Sequence, residues 1–129
     1  MKNRSLIERT GFALAGWYAA FRRERSFRAH VLMVALAVAV LLVLRPEPLW
    51  WAIIAIICAL VAAIELVNSA IEALADLLHP DVHPEIKAVK DMVAGAVLAV
   101  SVGAIVVAAA LVVDHWSHIA GALSRVTGR

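Results

Sequence analysis

Residues 65–76 read Glu65-Leu66-Val67-Asn68-Ser69-Ala70-Ile71-Glu72-Ala73-Leu74-Ala75-Asp76, three carboxylates and an amide closing an apolar run long enough to cross a bilayer. At about 100° per helical residue, Glu65, Asn68, Ser69, Glu72 and Asp76 fall within an arc of roughly 100°, with Leu66, Val67, Ile71 and Leu74 on the opposite side. An ionisable group beside hydrocarbon costs on the order of 2.5–3.5 kcal/mol on insertion scales, so several on one stripe mark an internal polar site. One face is suited to lipid and the other to chemistry.

Working outward, 64% of the 129 residues are hydrophobic and the mean hydropathy is +0.89, the composition of an integral membrane unit that buries apolar surface mainly against lipid. Apolar stretches at 29–44, 49–64 and 92–113 predict an all-α membrane protein in one domain spanning 1–129. Its three transmembrane helices cover about 29–44, 49–78 including a cytoplasmic extension, and 86–113. A hydrocarbon core of ~30 Å needs about 20 helical residues, so the first span must borrow from its flanks. Its basic leader runs to Arg28 and no small-residue cleavage site precedes Arg45-Pro46-Glu47-Pro48, so the segment reads as a retained span and not a signal peptide. Cys58 is the single cysteine and cannot form an intrachain disulfide.

Lys2, Arg4, Arg9, Arg22, Arg23, Arg25 and Arg28 precede the first span, and Lys87 and Lys90 follow the second, whereas the short turn at 45–48 holds only Arg45. Basic residues stay inside, so the N-terminus and the 79–91 loop are expected in the cytoplasm of a multi-pass membrane protein. Trp17 and Tyr18 suit the inner interface and Trp50, Trp51 and Trp116 the outer one. Leu14, Trp17, Tyr18 and Phe21 recur at helical spacing before Arg22 and Arg23, which predicts an N-terminal amphipathic surface helix over about 5–28. Gly95, Ala99 and Gly103 form a small-residue seam expected to pack the third helix tightly in the bundle. The tail 114–129 shows no pattern that carries a function.

Glu65 and Glu72 on one face invite either a divalent cation or a proton, and Glu24 could add a further oxygen ligand from the same depth. Mg²⁺ favours one or two carboxylates completed by phosphate oxygens. The plainer reading of Glu72 and Asp76 is that both are interfacial residues solvated by headgroup water. Lys90-Asp91 could place an ammonium on phosphate and a carboxylate on a base or ribose hydroxyl, or could simply follow the positive-inside bias. His79 and His83 are separated by a proline-broken loop and have no third soft ligand nearby, so they do not read as a metal pair. Gly11-Phe12-Ala13-Leu14-Ala15-Gly16 has P-loop glycine spacing but continues Trp17-Tyr18 where Lys-Ser/Thr is required. Nucleotide chemistry here needs another scaffold.

Glu65-Leu66-Val67-Asn68-Ser69-Ala70-Ile71-Glu72 with Asp76, and then Lys90-Asp91-Met92-Val93-Ala94-Gly95-Ala96, resemble the prokaryotic diacylglycerol kinase family, with its signature E-x-x-N-[ST]-[AS]-I-E-x-x-x-D and downstream K-D. The resemblance runs from about Gly11 to Val113. It implies a homotrimeric bundle of three-span subunits with a surface helix, ATP and Mg²⁺ on the cytoplasmic side, and sites shared between neighbours. It further implies Glu65 as general base and Glu24 with Glu72 as metal-coordinating carboxylates. Nucleotide contacts would come from Glu24, Glu72, Asp81, Val82, His83, Lys90 and Asp91. Lipid-substrate contacts would come from Ser26, Phe27, Arg28, Ala29, His30, Glu65, Asn68 and Ala94, with Asp76 supporting the site. His30 stands where the proteobacterial diacylglycerol kinases carry a carboxylate, and Glu24-Arg25-Ser26-Phe27-Arg28-Ala29-His30 is more similar to the undecaprenol kinases of the same family.

The expected activity is transfer of the ATP γ-phosphate to the primary hydroxyl of diacylglycerol or undecaprenol. Two alternatives share some of the same residues. A small proton or cation transporter also uses an intramembrane acid stripe, although nothing polar continues from Glu65 toward Trp50. A non-catalytic membrane assembly subunit would use the Gly95 seam but leaves Glu65 and Asn68 unexplained. The topology is directly testable: cysteines at Ser5 and Ser117 in a Cys58→Ala background are expected to react with a membrane-impermeant thiol reagent from opposite sides. Labelling of both from one side contradicts the three-span arrangement.

Overall fold

The computed structural model describes residues 5–78 and 83–127. The chain runs through α1 (Leu6–Arg23), α2 (Arg25–Leu44), α3 (Pro48–Leu78), α4 (Pro84–Asp114) and α5 (Trp116–Thr127), with no strand among the described residues. By length and composition α2, α3 and α4 can each cross a membrane. With no water in hydrocarbon to receive backbone N–H and C=O groups, a helix is the form in which such apolar runs satisfy themselves.

Ser5 starts α1 with a reciprocal cap: its hydroxyl accepts from the Glu8 N–H at 3.3 Å, and the Glu8 carboxylate accepts from the Ser5 N–H at 2.9 Å. The predicted surface helix was to continue through 28, but it stops at Arg23. Glu24 turns extended, with φ −102° and ψ 123°, while its N–H still donates to Ala20 O at 2.8 Å. The Arg28 guanidinium then donates to the carbonyls of Phe21 (3.2 Å) and Arg22 (3.4 Å), supplying partners that the end of α1 lacks. Residues 25–28 therefore belong to α2 and give the first span the turn that it needed to reach 20 residues, ~30 Å.

Three residues join α2 to α3. Arg45 adopts the left-handed conformation (φ 48°, ψ 52°), which costs a non-glycine residue roughly 1–2 kcal/mol, and its N–H closes α2 on Leu41 O at 2.8 Å. Pro48 opens α3, where its missing N–H is no loss. So short a turn forces α2 and α3 antiparallel. α3 packs against both α2 and α4, and α1 rests on α2 and α3.

The core lies near the Arg45 turn, where Leu41, Ile54 and Leu111 are buried together, flanked by Ala37, Leu44, Trp50, Cys58 and Val107. There the Trp50 indole donates to Asp114 Oδ2 at 2.9 Å, and the His115 ring meets Trp50 edge-on at 6.2 Å, tying the start of α3 to the end of α4. Toward the Glu24 end an apolar cleft of about 230 Å³ opens among α2, α3 and α4. A second cleft of about 260 Å³ lies among α1, α2 and α3, and His30, Val34 and Cys58 border both.

A further expectation changes. A side-chain carbon added at Gly95 or Gly103 would meet nothing within 4 Å, so the small-residue seam packs no helix inside the chain. The reason is rotational: α4 meets the bundle through Ser101, Ala104, Val107 and Leu111, which lie on a different arc of the helix. The tail, whose sequence shows no pattern that carries a function, forms α5 after a turn at His115, whose N–H donates to Leu111 O at 3.1 Å. Leu14, Trp17, Tyr18 and Phe21 of α1 remain exposed, as do Leu32, Leu36, Ile56, Leu98 and Ile105 of the spans. Leu41→Ala is expected to lower stability by about 2–5 kcal/mol in detergent unfolding, the usual result of hollowing a packed site. Val43→Ala, at a residue 79% exposed, should stay within about 0.5 kcal/mol.

Candidate active site

The polar stripe of α3 grades from dry to wet. Glu65 is 3% exposed and is the one buried charged residue among those described. Both of its oxygens face α2: Ser26 Oγ donates to Oε2 at 3.1 Å, and His30 Nδ1 lies 3.4 Å from Oε1. The same imidazole nitrogen sits 2.9 Å from the Ser26 carbonyl, which can only accept, so Nδ1 carries the proton in that contact. One turn further along α3, Asn68 Nδ2 donates to Glu72 Oε1 at 3.0 Å. Glu72 is exposed, and Asp76 beyond it pairs with Lys90 Nζ on α4. Seven residues separate the two glutamates, about 10.5 Å along the axis.

Glu24, expected on the surface helix, occupies the break between α1 and α2 instead. It is half-buried, and its side chain has no hydrogen-bond or ion-pair partner among the described residues. Its neighbour Arg23 lines a cleft of about 450 Å³ with Ser69 and Ala73, which sets the end of α1 against α3 at the level of Glu72. No group of three His, Cys, Asp or Glu side chains among the described residues forms a complete metal cage. Two hard carboxylates fit Mg²⁺ that arrives with phosphate oxygens and waters, since this ion takes few protein ligands.

Several expected contacts are otherwise engaged. Lys87 Nζ pairs with Asp91 one turn along α4, and Lys90 holds Asp76, so both members of the Lys90-Asp91 pair have partners within the chain. These exposed pairs contribute about 0–1 kcal/mol and can exchange for a phosphate or ribose at little cost. Arg28 caps α1 through the carbonyls of Phe21 and Arg22. Phe27 is 2% exposed and meets Trp17 edge-on at 5.7 Å, so it forms a wall of the second cleft as part of the packing. Ala29 and Ala94 are exposed and make no recorded polar contact. Asp81 and Val82 lie outside the described residues. His83 caps α4, its Nδ1 accepting from the Glu85 N–H at 3.3 Å.

Sequence reasoning missed the hold of Ser26 and His30 on Glu65, although their four-residue spacing placed both on one face of α2. It missed the Trp50–Asp114 tie as well, for which an indole opening one span and a carboxylate closing the next were the available signals.

The family model described as prokaryotic diacylglycerol kinase matches residues 11–112, which holds α2, α3, nearly all of α4 and most of α1. Among related proteins, a diacylglycerol kinase of Pseudomonas aeruginosa is 39% identical over 87 residues, covering 67% of this chain and 71% of the relative. One of Escherichia coli strain K12 is 31% identical over 113 residues, covering 88% and 90%. One of Synechocystis is 34% identical over 101 residues, covering 78% and 58%. With its matched region carrying the buried Glu65, the Asn68–Glu72 pair and the Asp76–Lys90 bridge, this chain belongs to the prokaryotic diacylglycerol kinase family.

Proposed function

We propose that this protein is a lipid kinase that moves the γ-phosphoryl group of ATP to the primary hydroxyl of a membrane lipid alcohol, at the cytoplasmic face of a bacterial inner membrane. The observation that carries this reading is Glu65, a buried carboxylate 3.4 Å from the His30 imidazole, a residue that borders two apolar clefts. A lipid reaching that point by its hydrocarbon would bring its hydroxyl to Glu65, while the nucleotide approaches along the exposed Glu72, Asp76 and Lys90.

Glu65 acts as general base, taking the hydroxyl proton as the oxygen attacks. Phosphoryl transfer rests on alignment and charge neutralisation, so the Lys90 ammonium, released from Asp76, supplies a point charge to the phosphates. Mg²⁺, held by Glu24 and Glu72 together with phosphate oxygens, would neutralise charge that builds on the transferring group. Asn68 fixes one oxygen of Glu72 and so leaves the other for the metal. The exposed Leu14, Trp17, Tyr18 and Phe21 support α1 as a helix lying on the membrane, and the unfilled seam at Gly95 and Gly103 supports the homotrimer that the family resemblance implies.

Diacylglycerol is the first reading of the lipid. Two adjoining apolar clefts suit two chains, and the relatives from Pseudomonas aeruginosa and Escherichia coli are named diacylglycerol kinases. Undecaprenol is the second, carried by His30 in place of a carboxylate. A proton relay is disfavoured because the cleft between α2, α3 and α4 is lined by apolar side chains apart from His30 and Ser101.

Glu65→Gln is expected to lower kcat by about 10²–10⁴-fold, the range of general-base catalysis, with little change in the ATP and Mg²⁺ dependences. Glu72→Gln should raise the Mg²⁺ needed for half-maximal rate as well as lower the rate. Mg²⁺ and ATP titrations of both purified variants check the assignment; near-normal turnover in Glu65→Gln removes it as the base. With diacylglycerol and undecaprenol at equal mole fraction, phosphatidic acid is the expected main product, and predominance of undecaprenyl phosphate would transfer the substrate reading to the second lipid.

A further inference from the structure

Glu65 has two oxygens, and α2 meets both. Ser26 and His30 stand one turn apart on α2, so a single helix face presents a hydroxyl to Oε2 at 3.1 Å and an imidazole to Oε1 at 3.4 Å. His30 is itself pinned, because its Nδ1–H donates to the Ser26 carbonyl at 2.9 Å. That bond sets the ring orientation and the tautomer, leaving Nε2 unprotonated in the neutral ring. Ser26 is the second residue of α2, and its place follows from the break at Glu24 and the Arg28 cap on α1. One seven-residue segment, 24–30, thus carries a carboxylate proposed for the metal and both side chains that lie against the carboxylate proposed as base.

A contact serving only to join α2 to α3 would be a poor use of a buried acid. Leu41 and Ile54 already join these helices through apolar packing, and a buried ionisable pair is weak evidence for stability. The family resemblance put Ser26 and His30 along the lipid entrance, but the distances give them another task. We propose that Ser26 and His30 are positioning residues for phosphoryl transfer, fixing the rotamer of the Glu65 carboxylate from α2 so that it meets the lipid hydroxyl already oriented. This rests on Glu65 being the base. The chemical step is unchanged: the hydroxyl proton goes to Glu65, the lipid oxygen bonds to the γ-phosphorus, and the bond from that phosphorus to the β,γ-bridging oxygen breaks, leaving ADP.

The test uses the full-length protein in lipid–detergent micelles, with diacylglycerol as the probe alcohol. Ser26→Ala and His30→Leu remove the two contacts, whereas Ser26→Thr keeps the hydroxyl and His30→Asn keeps a donor near the position of Nδ1. All four are made in the wild-type and Glu65→Gln backgrounds. Ser26→Ala and His30→Leu are expected to lower kcat by about 10–100-fold, as misplacement of a reacting group does, with KM for ATP and for diacylglycerol within about threefold. Ser26→Thr and His30→Asn should restore most of the rate. In Glu65→Gln, none of the four should reduce the residual rate further.

A raised KM for diacylglycerol with unchanged kcat would overturn the proposal and make these residues part of the lipid entrance. So would the same fractional loss of kcat in the Glu65→Gln background, or a loss that disappears when the rate is divided by the folded, assembled fraction. Near-normal turnover of Glu65→Gln by itself removes the base and this proposal with it. A strong loss in Glu65→Gln combined with full additivity removes only the positioning role.

Discussion

A carboxylate held almost free of water at membrane depth is the constraint on which the rest of this structure depends. Glu65 is 3% exposed, and a buried acid is tolerated when its oxygens find donors. Ser26 Oγ donates to one of these oxygens and His30 Nδ1 lies 3.4 Å from the other, which obliges the start of α2 to lie against the middle of α3. The break at Glu24 allows this. A continuous helix from Leu6 to Leu44 could not both follow the surface and bring residue 26 to residue 65, and the Arg28 guanidinium stabilises the break by taking up the carbonyls it exposes.

The two ends of the bundle do different work. At the Arg45 turn, Leu41, Ile54 and Leu111 close the spans together and the Trp50–Asp114 bond ties them. At the Glu24 end the helices admit apolar clefts, and polar side chains gather where α1, α3 and α4 end or begin. Tight packing away from the site holds the helices in register, and loose packing beside it leaves room for hydrocarbon. For the proposed phosphoryl transfer this arrangement keeps the lipid in an apolar setting and the nucleotide in an aqueous one, with about 10.5 Å of α3 between the carboxylates that would serve each.

Much of this was legible before any coordinates. Three apolar runs, the first completed by its flank, marked the three spans, and the 100° periodicity put Glu65, Asn68, Glu72 and Asp76 on one face, where the Asn68–Glu72 hydrogen bond and the Asp76–Lys90 pair are found. What escaped was set by tertiary contact. Nothing local announces that Glu24 turns extended, because Arg22, Arg23, Glu24 and Arg25 are all good helix formers; the break is stabilised by Arg28, four residues on. The Gly95 seam was read from its spacing alone, which tells where a helix can approach closely but not whether the partner lies in the same chain.

The central claim, that the buried carboxylate and the clefts beside it serve transfer of a phosphoryl group to a lipid hydroxyl, is tested most directly by following label from γ-labelled ATP in vesicles holding the purified protein. The account predicts label in the lipid phase only when ATP, Mg²⁺ and the lipid alcohol are present together, with one ADP formed per lipid phosphorylated. Absence of lipid label, with release of a proton gradient imposed across the same vesicles, would contradict it and return Glu65 to a proton path.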